Sequence, residues 1–137
     1  MKKLIILTIL LTMTLPVLAV TSYDRYGNKT GSYKTNGNTT IQYDRYGNKT
    51  SSYKTNSNSN TTSYDRYGNK TGSYKTNSNG VTTQYDKYGN KTGSYKTNGN
   101  TITQYDRYGN KTGSYKTDSN GRTIQYDRYG NKTGSYK

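Results

Sequence analysis

The 137-residue sequence contains no cysteine, histidine, glutamate, tryptophan or phenylalanine, and its single proline is Pro16. Without cysteine the chain has no disulfide and no thiolate nucleophile, and without histidine it lacks the commonest general base and metal ligand. Its only carboxylate side chains are seven aspartates, which lie singly at turn-forming positions. These absences predict a protein that is not an enzyme and has no cofactor and no metal site.

The first 19 residues form a segment of their own. A basic start, an almost unbroken apolar run over residues 4–15 and small residues ending at Ala19 follow one another. This layout is that of a secretory signal peptide, and the run is shorter than the about 20 residues that span a bilayer. We predict a cleaved signal helix over 1–19 and no membrane span after its removal. The leader is of bacterial type, so the predicted location is secreted, periplasmic, extracellular or at the cell surface.

Aliphatic side chains are scarce after residue 19. The five that remain are Val20, Ile41, Val81, Ile102 and Ile124, beside 18 tyrosines. A domain of this length normally buries far more apolar surface to offset the entropy of its chain. Either tyrosine rings supply the packing, or the chain is largely disordered.

Residues 20–137 are an array of six repeats of the unit Tyr-Asp-Arg-Tyr-Gly-Asn-Lys-Thr-Gly-Ser-Tyr-Lys. The units begin at Tyr23, Tyr43, Tyr64, Tyr85, Tyr105 and Tyr126, spaced by 20 or 21 residues. Within the unit, Ser51 replaces one glycine and Lys87 replaces one arginine. The spacers vary in sequence and length, which is typical of loops between fixed structural elements.

Each repeat carries two turn signals. In the unit, aspartate first and glycine fourth suit a type I turn that ends in a left-handed glycine. The turn residues predicted in this way are Asp44, Gly47, Asp65, Gly68, Asp86, Gly89, Asp106 and Gly109. Spacer sequences such as Asn36-Gly37, Asn98-Gly99 and Asp118-Ser119-Asn120-Gly121 also favour turns. The Thr-, Tyr- and Ile-bearing segments between the turns favour short strands.

These patterns predict an all-β fold of tandem hairpins that form an elongated meander or a solenoid, with partial disorder as the alternative. A three-residue loop over 45–47 would set Ile41 opposite Ser51 and place Tyr43 and Tyr53 on one face of the hairpin.

The same rule, applied to the turn at Asn98 and Gly99, pairs Tyr95 with Ile102. A simple meander would then alternate its tyrosine face from one repeat to the next, whereas a solenoid would stack equivalent residues in register. The sequence leaves both arrangements open.

The segment Tyr-Asp-Arg-Tyr-Gly-Asn supports a more specific comparison. The pattern Tyr-Asp-x-x-Gly-Asn, recurring with a spacer glycine such as Gly80 or Gly121, resembles the YD repeat of the Rhs family. The resemblance implies β-hairpins that wind into a secreted or surface-associated shell. A weaker likeness is to the aromatic hairpin repeats that bind cell-wall choline or glucans.

Three basic residues per unit are interleaved with three tyrosines, and the net charge of +14 becomes +12 once Lys2 and Lys3 are removed. Basic side chains attract anions and tyrosine offers a flat amphipathic surface, a combination that suits a polysaccharide or another polyanion. The predicted binding residues are Tyr46, Tyr67, Tyr88, Tyr108, Lys49, Lys70, Lys91 and Lys111.

The predicted function is therefore a secreted or cell-surface repeat protein that binds glycans or anionic surface polymers. Two alternatives are a self-assembling subunit of an extracellular matrix fibre and a disordered extracellular spacer. The lysines have a second interpretation, because charge also protects a β array from self-association. A specific nucleic acid partner is not expected, since export separates the chain from the genome.

Overall fold

The computed structural model describes residues 19–137, which form twelve β-strands and no helix. The strands are β1 (Ala19–Asp24), β2 (Lys29–Asn36), β3 (Thr39–Asp44), β4 (Lys49–Thr55), β5 (Asn60–Asp65), β6 (Lys70–Thr76), β7 (Val81–Asp86), β8 (Lys91–Asn98), β9 (Thr101–Asp106), β10 (Lys111–Thr117), β11 (Thr123–Asp127) and β12 (Lys132–Tyr136). The predicted signal peptide lies outside the described residues except for Ala19, which begins β1. Among the described residues there is no helix that could span a membrane.

Each strand pairs antiparallel with the next, and β1 pairs with β12, so the sheet closes into a barrel. Three residue pairs, from Ser22 opposite Tyr136 to Asp24 opposite Gly134, form this seam. Backbone hydrogen bonds of 2.7 and 2.9 Å between Thr21 and Lys137 extend it. The predicted all-β hairpin fold is confirmed, but the elongated meander or solenoid is wrong. Closure pairs the two strand edges that an open array of twisted strands would leave free.

A β-bulge in each unit changes the predicted register. Tyr43 lies opposite Lys49, but the register then shifts and Ile41 lies opposite Ser52 rather than Ser51. The corresponding shift occurs in all six units. A bulge sets two residues of one strand against one residue of its partner, which the period-2 rule does not include.

The bulge decides which tyrosines face inward. The bulge adds one residue to β4 between Lys49 and Ser51. As a result Tyr53 lies opposite Thr40 and faces the interior, while Tyr43 faces outward. The predicted common face of Tyr43 and Tyr53 is therefore wrong. Tyr95 lies opposite Gln104 rather than Ile102 for a different reason: Asn98 pairs with Thr101, so the two loop residues are Gly99 and Asn100. The tyrosine face does not alternate, because every unit carries the same bulge.

The interior is packed by one tyrosine from each unit. These six side chains are 1–8% exposed: Tyr33, Tyr53, Tyr74, Tyr95, Tyr115 and Tyr136. Ile102 is buried with them and Val20 packs against them. Further along the strands, threonine hydroxyls pair across neighbouring strands, as in Thr55 with Thr61 and Thr76 with Thr82 at 2.8 Å. Tyrosine rings thus take the place of an aliphatic core.

A close backbone approach accounts for the glycine in the middle of the unit. A Cβ atom at Gly72 would lie 2.5 Å from the carbonyl oxygen of Tyr85 in the next unit. The equivalent distances at the other glycines of this position reach at most 3.0 Å. Five units therefore have glycine beside the bulge, and Ser51 is the one exception.

The barrel has two dissimilar ends. The turn end carries the six turns of the units, over 24–28, 44–48, 65–69, 86–90, 106–110 and 127–131. The spacer end carries five turns and both described termini. Its turns over 56–60, 77–81 and 118–122 are one residue longer than the tight turns over 36–39 and 98–101. This extra residue explains why some repeats are spaced by 21 residues and others by 20.

Candidate functional site

The aspartate of each unit holds its turn together. One carboxylate oxygen of Asp44, Oδ1, accepts hydrogen bonds from the backbone N–H groups of Tyr46 and Asn48, at 2.8 and 2.9 Å. The other, Oδ2, accepts one from the side-chain amide of Asn48 at 3.1 Å. Gly47 has a φ of 89°, which a residue with a Cβ rarely adopts. The other predicted turn glycines, Gly68, Gly89 and Gly109, have φ values of 90–92°.

These hydrogen bonds also set the charge state of the turn. The side-chain and backbone hydrogen bonds from Asn48 hold the pKa of Asp44 below its usual value, and Asp65, Asp86 and Asp106 are lowered in the same way. No lysine or arginine is among the causes of the shift at Asp44. The carboxylate is thus stabilised by hydrogen bonds within its own turn.

The tip of each unit turn presents a tyrosine beneath a cation. The Tyr46 side chain is 74% exposed, and the Arg45 guanidinium carbon lies 4.6 Å from its ring centroid. The guanidinium also donates a hydrogen bond to the Tyr46 hydroxyl. In the fourth unit Lys87 takes the place of arginine, with its amine nitrogen 4.9 Å from the Tyr88 ring centroid. The equivalent pairs are Arg25 with Tyr26, Arg66 with Tyr67, Arg107 with Tyr108, and Arg128 with Tyr129.

The predicted lysines lie directly behind these tips. Lys49 begins the strand after its turn, is exposed, and lies opposite the outward-facing Tyr43. Lys70, Lys91 and Lys111 have the equivalent positions. All eight predicted binding residues therefore lie at the turn end. We define the turn-end ring as the six basic–tyrosine pairs of the tips together with the six lysines that follow them.

The sequence prediction missed the first and last members of this ring. Tyr26 and Tyr129 are 74% and 73% exposed, and the four predicted tyrosines are 74–78% exposed. Lys29 and Lys132 follow their turns as the predicted lysines do. The arginines that lie over the tyrosine side chains were not among the predicted binding residues either. The repeat itself carries the signal that would have found them, because all six units contain the same residues.

The Arg-Tyr pair is not required by the turn that carries it. At the spacer end, Asp118 makes the same bonds: its Oδ1 accepts from the N–H groups of Asn120 and Arg122 at 3.0 and 2.9 Å. Gly121 closes that turn with a φ of 74°. Its central residues are Ser119 and Asn120. The backbone conformation is thus compatible with serine and asparagine where the units have arginine and tyrosine.

Two interior cavities of about 490 and 520 Å³ also lie toward the turn end, and the sequence did not predict them. Each contains side chains from the inward position just before a Tyr-Asp pair. That position is glutamine in four units and serine in two: Gln42, Gln84, Gln104, Gln125, Ser22 and Ser63. The variation at this position is the signal that could have indicated them.

Residues 19–137 contain no group of three or more acidic, histidine or cysteine side chains able to hold a metal ion. No protein-family model matches the chain, and no curated protein sequence matches it. The resemblance to YD repeats and the weaker likeness to glucan-binding repeats therefore stay predictions.

Proposed function

We propose that this chain is an exported, non-enzymatic protein that binds anionic polysaccharide, or another anionic surface polymer, through its turn-end ring. The observation that carries the proposal is the sixfold repetition of one basic–aromatic pair at one end of the barrel. A polymer repeats its anionic groups, and a ring that repeats its cations can engage several of them at once. Such contacts act together because each later contact forms at a high effective concentration.

The comparison of the two ends supports a role in binding. The spacer turns over 56–60, 77–81 and 118–122 make the same backbone hydrogen bonds as the unit turns without any arginine–tyrosine pair. A large, exposed aromatic side chain at each of six tips therefore has no structural explanation within its turn. Tyrosine can lie against a sugar ring while its hydroxyl keeps a hydrogen bond, and the cation adds attraction to acidic groups.

The rigidity of the tips favours binding as well. Each tip is held by the carboxylate bonds described for Asp44 and is attached to paired strands on both sides. Because the backbone of each tip is already fixed, ligand binding orders less of the chain and costs less conformational entropy. The closed barrel thus supports the ring as a fixed platform.

Barrel closure bears on the two alternative functions. Within residues 19–137 every strand has a neighbour on each side, so edge-to-edge addition of a second copy requires the seam to open first. A disordered spacer would not need twelve paired strands. Both observations favour a folded binding protein over a fibre subunit or a spacer.

The test compares two sets of four lysines. Changing Lys49, Lys70, Lys91 and Lys111 to Gln removes charge from the ring. Changing Lys54, Lys75, Lys96 and Lys116 to Gln removes the same charge from the part of the outer wall nearer the spacer end. The two sets lie roughly 16 Å apart along the strands, at about 3.3 Å per residue. We expect only the ring variant to lose at least about tenfold in affinity for polygalacturonate and to flatten its salt dependence, because ring charges contact the ligand.

Tyrosine is tested separately. We expect weaker binding of polygalacturonate when four tyrosines are changed to Ser: Tyr46, Tyr67, Tyr88 and Tyr108. The salt dependence should stay the same, because no charge is removed. Equal losses in the two lysine variants would mean that net charge alone is responsible. Failure of the unaltered protein to retain any acidic glycan at low salt would end the proposal.

A further inference from the structure

The two interior cavities share one composition. The cavity of about 490 Å³ is lined by Ser63, Gln84 and Gln104 among others, and the cavity of about 520 Å³ by Ser22, Gln42 and Gln125. Each thus combines one serine with two glutamines at the same inward position of the unit. Serine is the shorter side chain, so each serine leaves space where other units fill it with glutamine. Each serine therefore enlarges its cavity relative to a unit that has glutamine at this position.

The glutamines form hydrogen bonds with hydroxyl groups at the cavity walls. Oε1 of Gln104 accepts a hydrogen bond from the Tyr115 hydroxyl at 3.2 Å, and Oε1 of Gln125 accepts one from the Tyr136 hydroxyl at 3.0 Å. In Gln42, Oε1 accepts from the Ser51 hydroxyl at 2.7 Å. Among residues 19–137 no buried side-chain nitrogen or oxygen lacks a hydrogen-bond partner. The amides and hydroxyls thus form a polar lining in both cavities.

The charges around the cavities exclude the ligand proposed for the ring. No lysine or arginine lines either cavity, and the charged side chains present are Asp86 and Asp106 in the first and Asp24 in the second. Both carboxylate oxygens of Asp86 already accept hydrogen bonds, from Tyr88 and Asn90. An anionic polymer would be repelled, and a ligand without charge would meet amides, hydroxyls and tyrosine.

We propose that the two cavities are binding sites for an uncharged sugar the size of a monosaccharide or a disaccharide. Sugar hydroxyls both donate and accept hydrogen bonds, so they match the glutamine amides, the threonine hydroxyls at the mouth and the tyrosine hydroxyls below. The volumes fall within the range of about 300–1,000 Å³ that is usual for ligand sites. This proposal does not depend on the function proposed for the turn-end ring, since its ligand carries no charge.

The experiment uses the four glutamines as reporters. The chain contains no glutamine outside Gln42, Gln84, Gln104 and Gln125, so with nitrogen-15 introduced only into glutamine each side-chain amide signal in an NMR spectrum reports on one cavity. Titration of the exported form with cellobiose should shift these signals and saturate in the millimolar range. Ser63→Gln introduces the residue that four other units have at this position and should abolish the shifts of Gln84 and Gln104 alone. Ser22→Gln should abolish those of Gln42 and Gln125 alone.

A second pair of variants keeps the test independent of how the serine variants fold. Thr112→Val removes a hydroxyl from the mouth of the first cavity and should weaken cellobiose binding there by several-fold. Thr103→Val is the matched control, because this outward-facing residue of β9 lines neither cavity, and it should leave binding unchanged. Glutamine signals that respond to neither cellobiose nor diacetylchitobiose, or that respond only to a polyamine, would overturn the proposal. Loss of polymer binding in the ring variants would leave the titration unchanged.

Discussion

The two ends of the barrel build the same turn from different residues. At the turn end, the Asp106 carboxylate accepts from the N–H groups of Tyr108 and Asn110, both at 2.9 Å. At the spacer end, the Asp118 carboxylate accepts the equivalent bonds from the N–H groups of Asn120 and Arg122. The central residues of that turn are Ser119 and Asn120. The comparison separates what the turn needs, a carboxylate or amide first and a residue with positive φ fourth, from what it leaves open. The two central positions are open, so the turn itself does not account for arginine and tyrosine at the turn end.

The ends differ also in how much variation they tolerate. The spacer end has three five-residue turns and two tight turns, in which Gly37 and Gly99 have a φ of 56°. Both kinds leave the inward tyrosine opposite the same position of the next strand, as Tyr33 with Gln42 and Tyr74 with Gln84 show. The turn end has one kind of turn in all six units. Uniform turns at one end keep the ring residues equivalent, while the other end needs only to preserve strand register.

Alkaline pH should have the largest effect on stability, because it ionises the six buried tyrosines that pack the barrel between its two ends. Burial raises the pKa of Tyr136 from 10.0 to about 12, and burial also raises the pKa values of Tyr33 and Tyr115. The folded state thus holds protons that the unfolded state releases. Its stability should be complete below about pH 10 and decline as the pH rises from there through about 12. We expect the β signal in circular dichroism to vanish as tyrosinate absorbance appears; a β signal that outlasted full ionisation would contradict this.

Replacing the turn glycine by valine should lower the free energy of unfolding by a similar amount at both ends of the barrel. Gly109 and Gly121 have φ values of 92° and 74°, which are unfavourable for a β-branched residue. We expect Gly109→Val and Gly121→Val each to lower the free energy of unfolding by about 1–3 kcal/mol in chemical denaturation. The control Thr103→Val lies in a strand, where valine is well tolerated. A loss at one end only would show that the two turns are not equivalent.

The spacer turn over 56–60 should be stabilised by a glycine at its fourth position. Ser59 occupies the fourth position of the turn over 56–60 and has a φ of 58°, the only positive φ of a non-glycine among the described residues. The left-handed conformation costs a residue with a Cβ about 1–2 kcal/mol. Ser59→Gly should therefore raise the free energy of unfolding by about 1 kcal/mol. Ser57→Gly in the same turn is the control and should give no gain, because Ser57 does not have a positive φ.

Exchange of the central turn residues should have the smallest effect on stability. Arg107→Ser with Tyr108→Asn gives a unit turn the central residues of a spacer turn, and Ser119→Arg with Asn120→Tyr makes the reverse change. Exposed cation–π pairs contribute about 0.5–1 kcal/mol, so each exchange should alter the free energy of unfolding by less than about 1 kcal/mol. The first exchange should reduce polygalacturonate affinity. A large loss of stability would show that arginine and tyrosine do hold the turn.

The sequence allowed eight of the eighteen ring residues to be predicted, the exposed tyrosines and the lysines of the four middle units, since basic and aromatic residues are interleaved in every unit. Tyr46 and Lys49 were assigned in this way. The cavities could not be predicted, because Ser63 and Gln84 are uninformative until their strands are known to face a common interior. The inward position of Tyr53 was also missed, since it depends on a bulge that the alternation of residues does not include.

What the sequence by itself determined is local. The carboxylate of Asp44 bonds only within its own turn, and Gly47 meets a backbone requirement of that turn, so strands and turns could be predicted from neighbouring residues. The tertiary structure decided which tyrosines are buried, where the cavities lie, and that the sheet closes. Closure joins Ser22 to Tyr136 at opposite ends of the chain. These features depend on twist and register accumulated over twelve strands, so they cannot be predicted from any short segment of the sequence.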